Sequence, residues 1–141
     1  MPKILGLDVG DKRVGVAISD DDRNNAKPLA TYNRANYQAE KQLIDIITQY
    51  AIDTIVVGLP LSEDNKPTEQ SEKIQNFCRR LQRRVKINII YIDEYMSSFF
   101  AKQRLGITGS ADRKTRKAGE IDANAAAIIL QDYLNQGLPG R

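Results

Sequence analysis

The chain has 141 residues, 41% of them hydrophobic, which is the length of one ordinary domain with a single substantial core. Lys and Arg total 21 against 18 Asp and Glu, so the net charge of +3 does not by itself mark a polyanion-binding protein. With no histidine and one cysteine, a Ser-His-Asp triad, a histidine general base and an ordinary zinc site are excluded, and carboxylates, lysines, hydroxyls or a carboxylate-held hard cation remain.

The chain opens Met-Pro-Lys-Ile-Leu-Gly-Leu-Asp, without the long apolar stretch of a signal peptide. Residues 3 to 8 are an apolar run ending at an acid, which predicts a buried strand. After the polar turn at 10 to 13, Val14, Val16 and Ile18 alternate with Gly15, Ala17 and Ser19. That predicts a second strand, hairpin-paired with the first, whose small-residue face leaves space for a helix or a ligand. Leu29 to Tyr32 is a candidate third strand. From Ala39 to Tyr50 the apolar positions Leu43, Ile46, Ile47 and Tyr50 share one helix face. Asp53 to Val57 is β-branched and reads as a buried strand stopped by Gly58-Leu59-Pro60.

A second helix, about Thr68 to Arg84, buries Ile74, Phe77, Cys78 and Leu81, so the lone thiol belongs to a core in a reducing compartment. Ile87 to Ile92 is the last strand, followed by Asp93-Glu94. Ser97 or Ser98 can cap a short helix through Leu105, and 106 to 116 is a basic loop. A final helix from about Ile121 to Asn135 closes at Gly137. No apolar run approaches the ~20 residues of a membrane span, and the expectation is one cytoplasmic domain over residues 1 to 141. The order β-β-β-α-β-α-β-α makes the later, helix-separated strands parallel. Two folds share it: the ribonuclease H-like fold, and half of the two-domain sugar-kinase and actin-type ATPases.

Three acids fall where such an order brings ligands together. Asp8 ends the first strand, Glu94 follows the last strand, and Asp122 lies in the first turn of the last helix. Carboxylates facing one cleft repel one another unless a cation sits between them, and oxygen-only ligands select Mg²⁺ or Mn²⁺. Two such ions about 3.5 to 4 Å apart support in-line displacement at a phosphodiester without histidine. Taken singly, each acid also has a plain structural reading: a turn former, an exposed strand end, and a favourable charge at a helix N-terminus. Basic residues cluster locally at 79 to 86 and at 113 to 117. Lys12, Arg13, Arg113, Lys114, Arg116 and Lys117 lie in the loops nearest the acids and are candidate phosphate contacts. Ser97 joins them as a candidate nucleic-acid contact, while the 79 to 86 run, on a helix and its end, ranks lower.

Four blocks, taken in order, resemble the signature of the YqgF family of small bacterial proteins. They are Gly-Leu-Asp-Val-Gly-Asp-Lys-Arg-Val-Gly-Val-Ala (6 to 17), Val-Val-Gly-Leu-Pro-Leu (56 to 61), Asp-Glu-Tyr-Met-Ser-Ser (93 to 98) and Ile-Asp-Ala-Asn-Ala-Ala-Ala-Ile-Ile-Leu (121 to 130). Members of that family are described as Holliday junction resolvases and as pre-16S rRNA nucleases. The resemblance implies a ribonuclease H-like fold, an α/β mixed five-stranded sheet with helices on both faces. It also implies a nuclease acting in 5′-end maturation of small-subunit ribosomal RNA, with Asp8, Glu94 and Asp122 matching the family's metal-binding acids. This chain departs from the pattern at Tyr95, where the family usually has an arginine after the Asp-Glu pair, and at Ala118-Gly119-Glu120, which separate Lys117 from Asp122. Tyr95 removes a bidentate phosphate clamp, so the departures bear on substrate handling more than on metal binding.

The partners implied are a ribosomal RNA precursor or branched DNA, and the residues leave both open. Resolving a four-way junction symmetrically needs two active sites and hence a homodimer, for which no coiled-coil seam is visible. Two other readings compete. An ATP-binding module is suggested by Asp-x-Gly-x-x-x-x-Gly after the first strand, but such proteins bind nucleotide between two domains and this length supplies one. A non-catalytic RNA-binding domain is the other, against which the retained acids weigh, since they put negative charge where RNA would bind.

Overall fold

The first two predicted strands form an antiparallel pair, β1 (Ile4–Val9) and β2 (Arg13–Ser19), in register from Leu5↔Ile18 to Val9↔Val14. They belong to a computed structural model that describes residues 3–60, 68–93 and 118–136. The third strand, β3 (Ala26–Asn33), is twice as long as the four residues expected from the sequence and pairs antiparallel with β2. It is the edge of the sheet, partly exposed along its length, so no clean alternation of apolar residues announces it. Its edge position also explains how it tolerates Pro28. The register steps from Val16↔Ala30 to Ala17↔Pro28, which leaves Leu29 as a bulge residue.

β4 (Thr54–Leu59) lies parallel to β1, and β5 (Asn88–Asp93) parallel to β4, in the order β3-β2-β1-β4-β5. Of the expected stop at Gly58-Leu59-Pro60, Pro60 alone lies beyond β4, and Gly58 and Leu59 do not end it. The strand runs on through both residues, because Gly58 and Leu59 pair with Ile92 and Asp93 and Leu59 is buried. The parallel strands need crossovers, and these are helical. After a 3₁₀ turn at Ala35–Tyr37, α1 (Gln38–Tyr50) leads to β4, and α2 (Glu69–Arg84) leads from β4 to β5. α2 starts at a reciprocal cap. The Thr68 hydroxyl accepts from the Ser71 amide at 3.1 Å, and the Ser71 hydroxyl accepts from the Thr68 amide at 2.7 Å.

Strand alternation sorts the core into two layers. Leu5, Leu7, Val9, Val14, Val16 and Ile18 face α1 and α2, meeting Leu43, Ile47, Ile74 and Phe77. On the other face Ile4, Ala17, Val56 and Ile92 meet Ala126, Ile129, Leu130 and Tyr133 of the final helix, α3 (Ala118–Asn135). The small-residue face of β2 is therefore filled by a helix. α3 packs so closely that a Cβ on Gly6 would lie 2.7 Å from the Leu130 Cβ and 2.8 Å from the Ala126 carbonyl oxygen. The architecture is the α/β mixed sheet with helices on both faces expected from the sequence. The expected helix from Ser97 or Ser98, the basic loop and Gly137 lie outside the described residues.

Candidate functional site

Asp8 is the last residue but one of β1 and lies on the α3 face, one row beyond Gly6 towards the C-terminal ends of the parallel strands. Its cross-strand partner on β2 is Gly15. On the other side β1 and β4 are in register to Leu7↔Val57, and the next residue of β4 is Gly58. The partly buried carboxylate thus stands in a row whose neighbours on both sides have no side chain. That clears lateral space around it in the centre of the sheet. The sequence carried this signal, in two glycines that read there as a small-residue face and a strand stop.

The direction of α3 follows from its far end. The Gln131 side-chain oxygen accepts from the Ala26 amide at 2.8 Å, and its amide nitrogen donates to the Asn24 carbonyl at 2.9 Å. Ala26 pairs with Ser19, whose hydroxyl accepts from the Ile4 amide at 2.8 Å at the start of β1. The C-terminal half of α3 therefore covers the start of β1, and the helix runs antiparallel to the strand. Starting from the contact of Gly6 with Ala126, two strand residues lead about 6.6 Å to Asp8 and one helical turn leads about 6 Å back to Asp122. The backbones of Asp8 and Asp122 come to the same edge of the same face.

Asp122 is the fifth residue of α3, because the helix begins at Ala118, three residues before the predicted start. The helix-dipole effect fades beyond the first turn, so a plain N-terminal charge role explains Asp122 less well than it did from the sequence. The Asp122 side chain and all of Glu94, which follows the last residue of β5, lie outside the described residues, as do Ser97, Arg113, Lys114, Arg116 and Lys117. Among the described residues no three metal-ligating side chains come together.

Of the two cations in the first turn, Arg13 is exposed and alternates with Val14 onto the Asp8 face. Lys12 lines a cleft on the α2 side. The turn is tied down from below. The Gly10 amide donates to the Arg13 carbonyl at 2.8 Å, the Arg34 amide to the Lys12 carbonyl at 2.9 Å, and the Arg34 guanidinium to the Gly10 carbonyl at 2.8 Å. Arg34 itself lies over the buried Phe77 ring, 5.1 Å from its centroid. The sequence did not single out Arg34, because the fixed position comes from contacts 24 and 43 residues away in the chain.

Residues 2–136 match the family model described as RuvX, Holliday junction resolvase, which is the YqgF family of the four sequence blocks. The chain belongs to this family. A relative from Maridesulfovibrio salexigens, described as "Putative pre-16S rRNA nuclease", is 41% identical over 133 residues, covering 94% of this chain and 97% of the relative. A Clostridium tetani relative with the same description is 40% identical and covers 94% and 96%. Among solved structures, Thermus thermophilus RuvC in complex with a Holliday junction substrate superposes with a TM-score of 0.56 at 12% identity, over 97% of each chain. The fowlpox virus Holliday junction resolvase does so with 0.55 at 16% identity, over 95% and 99%. At that identity the likeness shows the fold alone, and the fold is ribonuclease H-like. Among the described residues no helix is long and apolar enough to cross a membrane.

Proposed function

We propose that this chain is a cytoplasmic, divalent-metal-dependent nuclease that hydrolyses phosphodiester bonds of structured nucleic acid during 5′-end maturation of pre-16S ribosomal RNA. The observation that carries the reading is the antiparallel seating of α3 on β1. It brings the backbone of Asp122 to the strand end where Asp8 stands between Gly15 and Gly58. Family membership and the description of relatives up to 41% identical as pre-16S rRNA nucleases support it, and neither favours the ATP-binding or scaffold alternatives.

Asp8, Glu94 and Asp122 are the residues proposed to hold Mg²⁺ or Mn²⁺. Their donors are all carboxylate oxygens in a chain without histidine, which suits a hard cation. When bound, the metal supplies Lewis-acid activation of water and charge stabilisation at the leaving oxygen. The role proposed for the chain is to supply the three acids from separate parts of the sequence, with the space beside Asp8 left open by Gly15 and Gly58. Arg13, on the same face, and Ser97, Arg113, Lys114, Arg116 and Lys117 are proposed to position phosphates.

A second reading, resolution of DNA four-way junctions by a homodimer, draws on the description of the family as Holliday junction resolvase. Cleavage of a precursor ribosomal RNA and of a synthetic junction, in Mg²⁺, in Mn²⁺ and with chelator, separates the two. RNA cleavage that chelator abolishes and Asp8→Asn abolishes is expected. Cleavage of the junction alone would transfer the function to DNA, and activity that survives both chelator and Asp8→Asn would remove the metal mechanism.

A further inference from the structure

On the sheet face opposite α3, the first turn, the end of β3 and α2 enclose a cleft of 780 Å³. Four cations line it: Lys12 from the turn, Arg34 just after β3, and Lys73 and Arg80 from α2. Two carboxamides, Asn33 and Asn76, add hydrogen-bonding groups. Among the described residues that line it, Asp11 is the one carboxylate and Ala35 the one apolar residue. We propose that this cleft is a second phosphate-binding subsite, which holds the backbone of a nucleic-acid strand after it has crossed the sheet edge from the acids around Asp8.

Charge and composition carry the assignment. Gathering four cations around one cleft is unfavourable unless anions relieve it, and the chain's own acids do so only in part. Glu40 approaches Arg80 at 3.8 Å and Glu69 approaches Lys73 at 4.0 Å, both beyond hydrogen-bonding distance. Among the described residues the buried Arg80 Nε and Glu40 Oε1 have no hydrogen-bond partner. Lys73 and Arg80 keep 55% and 40% of their side chains exposed, so a ligand can reach them. Arg34 is held in place by the Gly10 carbonyl and the Phe77 ring, so its charge is already oriented and little order is lost on binding. The volume accommodates a nucleotide-sized group. Among the described residues the lining is dominated by cations and carboxamides, which suits recognition of phosphate.

Position selects a polynucleotide over a free anion. Asp11 and Lys12 follow Asp8 by three and four residues in the turn that leaves β1. Arg13 lies on the Asp8 face and Lys12 in the cleft, so adjacent residues present charge to both sides of one sheet edge. A strand passing over these strand ends meets Arg13 on one face of the sheet and Lys12 on the other. The inference rests on the nuclease reading for the identity of the ligand, though not for the existence of the anion site.

The test uses Lys73, which is exposed and whose loss leaves no buried group unpaired, unlike Arg80 beside the buried Glu40. The full-length Asp8→Asn protein, in chelator to prevent cleavage, is titrated with a labelled single-stranded RNA oligonucleotide from 25 to 200 mM salt. Lys73→Gln on that background is expected to weaken binding roughly three- to fivefold at low salt. It should also reduce the slope of log affinity against log salt by about 0.7, as one lost phosphate contact on a single strand does. Lys27→Gln, an exposed cation on β3 outside the cleft, is expected to change neither. An unchanged slope for Lys73→Gln, or an equal effect of Lys27→Gln, overturns the subsite. So does competition by inorganic phosphate or a 5′-mononucleotide at the same concentration as the oligonucleotide, which would make the cleft a site for free anions. Cleavage by the wild type is scored separately. Lys73-dependent binding without any cleavage keeps the subsite and removes the nuclease reading, whereas cleavage with an unchanged Lys73→Gln slope does the reverse.

Discussion

Cys78 shows how one side chain's role is set by what surrounds it. It lies fully buried on α2, and burial pushes its thiol up to about 11 from an ordinary value of 9.0. A hydrogen bond with the Tyr91 hydroxyl and the nearby Arg34, Arg79 and Arg80 charges pull the other way without prevailing. Burial also raises the Tyr91 hydroxyl. The thiol is therefore protonated at neutral pH and is no nucleophile, in keeping with the core role the sequence suggests. The folded form binds this proton more tightly than the unfolded chain. Its stabilising effect is complete below pH 9 and is lost as pH rises from 9 towards 11. Replacing Cys78 by Ser removes the titration, so the stability difference between wild type and Cys78→Ser, measured by denaturant titration, should change by on the order of 2 kcal/mol across that window. A constant difference would mean that the thiol titrates alike in the folded and unfolded chain, so that burial does not raise it.

Among the elements, α3 has the most consequence for the site, and Gly6 is where it is seated. A methyl group at this position would collide with the Leu130 Cβ and the Ala126 carbonyl oxygen, neither of which can rotate away. Gly6→Ala must therefore lift the helix from the sheet, at a cost of about 1 to 3 kcal/mol for overpacking. A thermal melt should show a loss of several degrees. The lifted helix carries Asp122, so cleavage at a temperature where the variant is still folded should fall as well. An unchanged melting temperature would show that α3 has slack against β1, and the proposed meeting of Asp8 and Asp122 would lose its geometric basis. The periodic apolar faces of α1 and α2 and the alternation in β2 were visible in the sequence, since both burial patterns repeat locally. The full length of β3 and the run of β4 through Leu59 were not, because an edge strand need not alternate and a glycine pairs in a ladder as readily as it stops one.

For the molecule as a whole, the proposed site joins parts of the chain that are far apart in sequence: β1, the residue following β5, and α3. A cation held between them binds the folded state and not the unfolded one, so it should stabilise the whole fold by mass action. At ten times its dissociation constant the gain is about 1.4 kcal/mol. The wild type is thus expected to melt a few degrees higher in saturating Mg²⁺ than in chelator, and Asp8→Asn should show no such shift. In chelator the variant should be at least as stable as the wild type, since one member of a repelling acidic set is gone. An equal Mg²⁺ shift in both proteins would assign the effect to general screening and not to Asp8.

Legible in the sequence alone were the fold class, the order of the elements and the family, together with the three acids proposed as the site. Each of these is written in local periodicity or in short blocks that a single stretch of chain contains. It also excluded histidine and zinc chemistry, by composition alone. Tertiary structure decided what depends on residues distant in the chain. The direction of α3 is anchored by Gln131 on Asn24 and Ala26. Gly15 and Gly58 come to either side of Asp8 only when β2 and β4 pair with β1. Lys12, Arg34, Lys73 and Arg80 become one basic cleft only when the turn, β3 and α2 meet. Propensity and periodicity act over a few residues, whereas these juxtapositions arise from strand register and helix packing across the whole sheet.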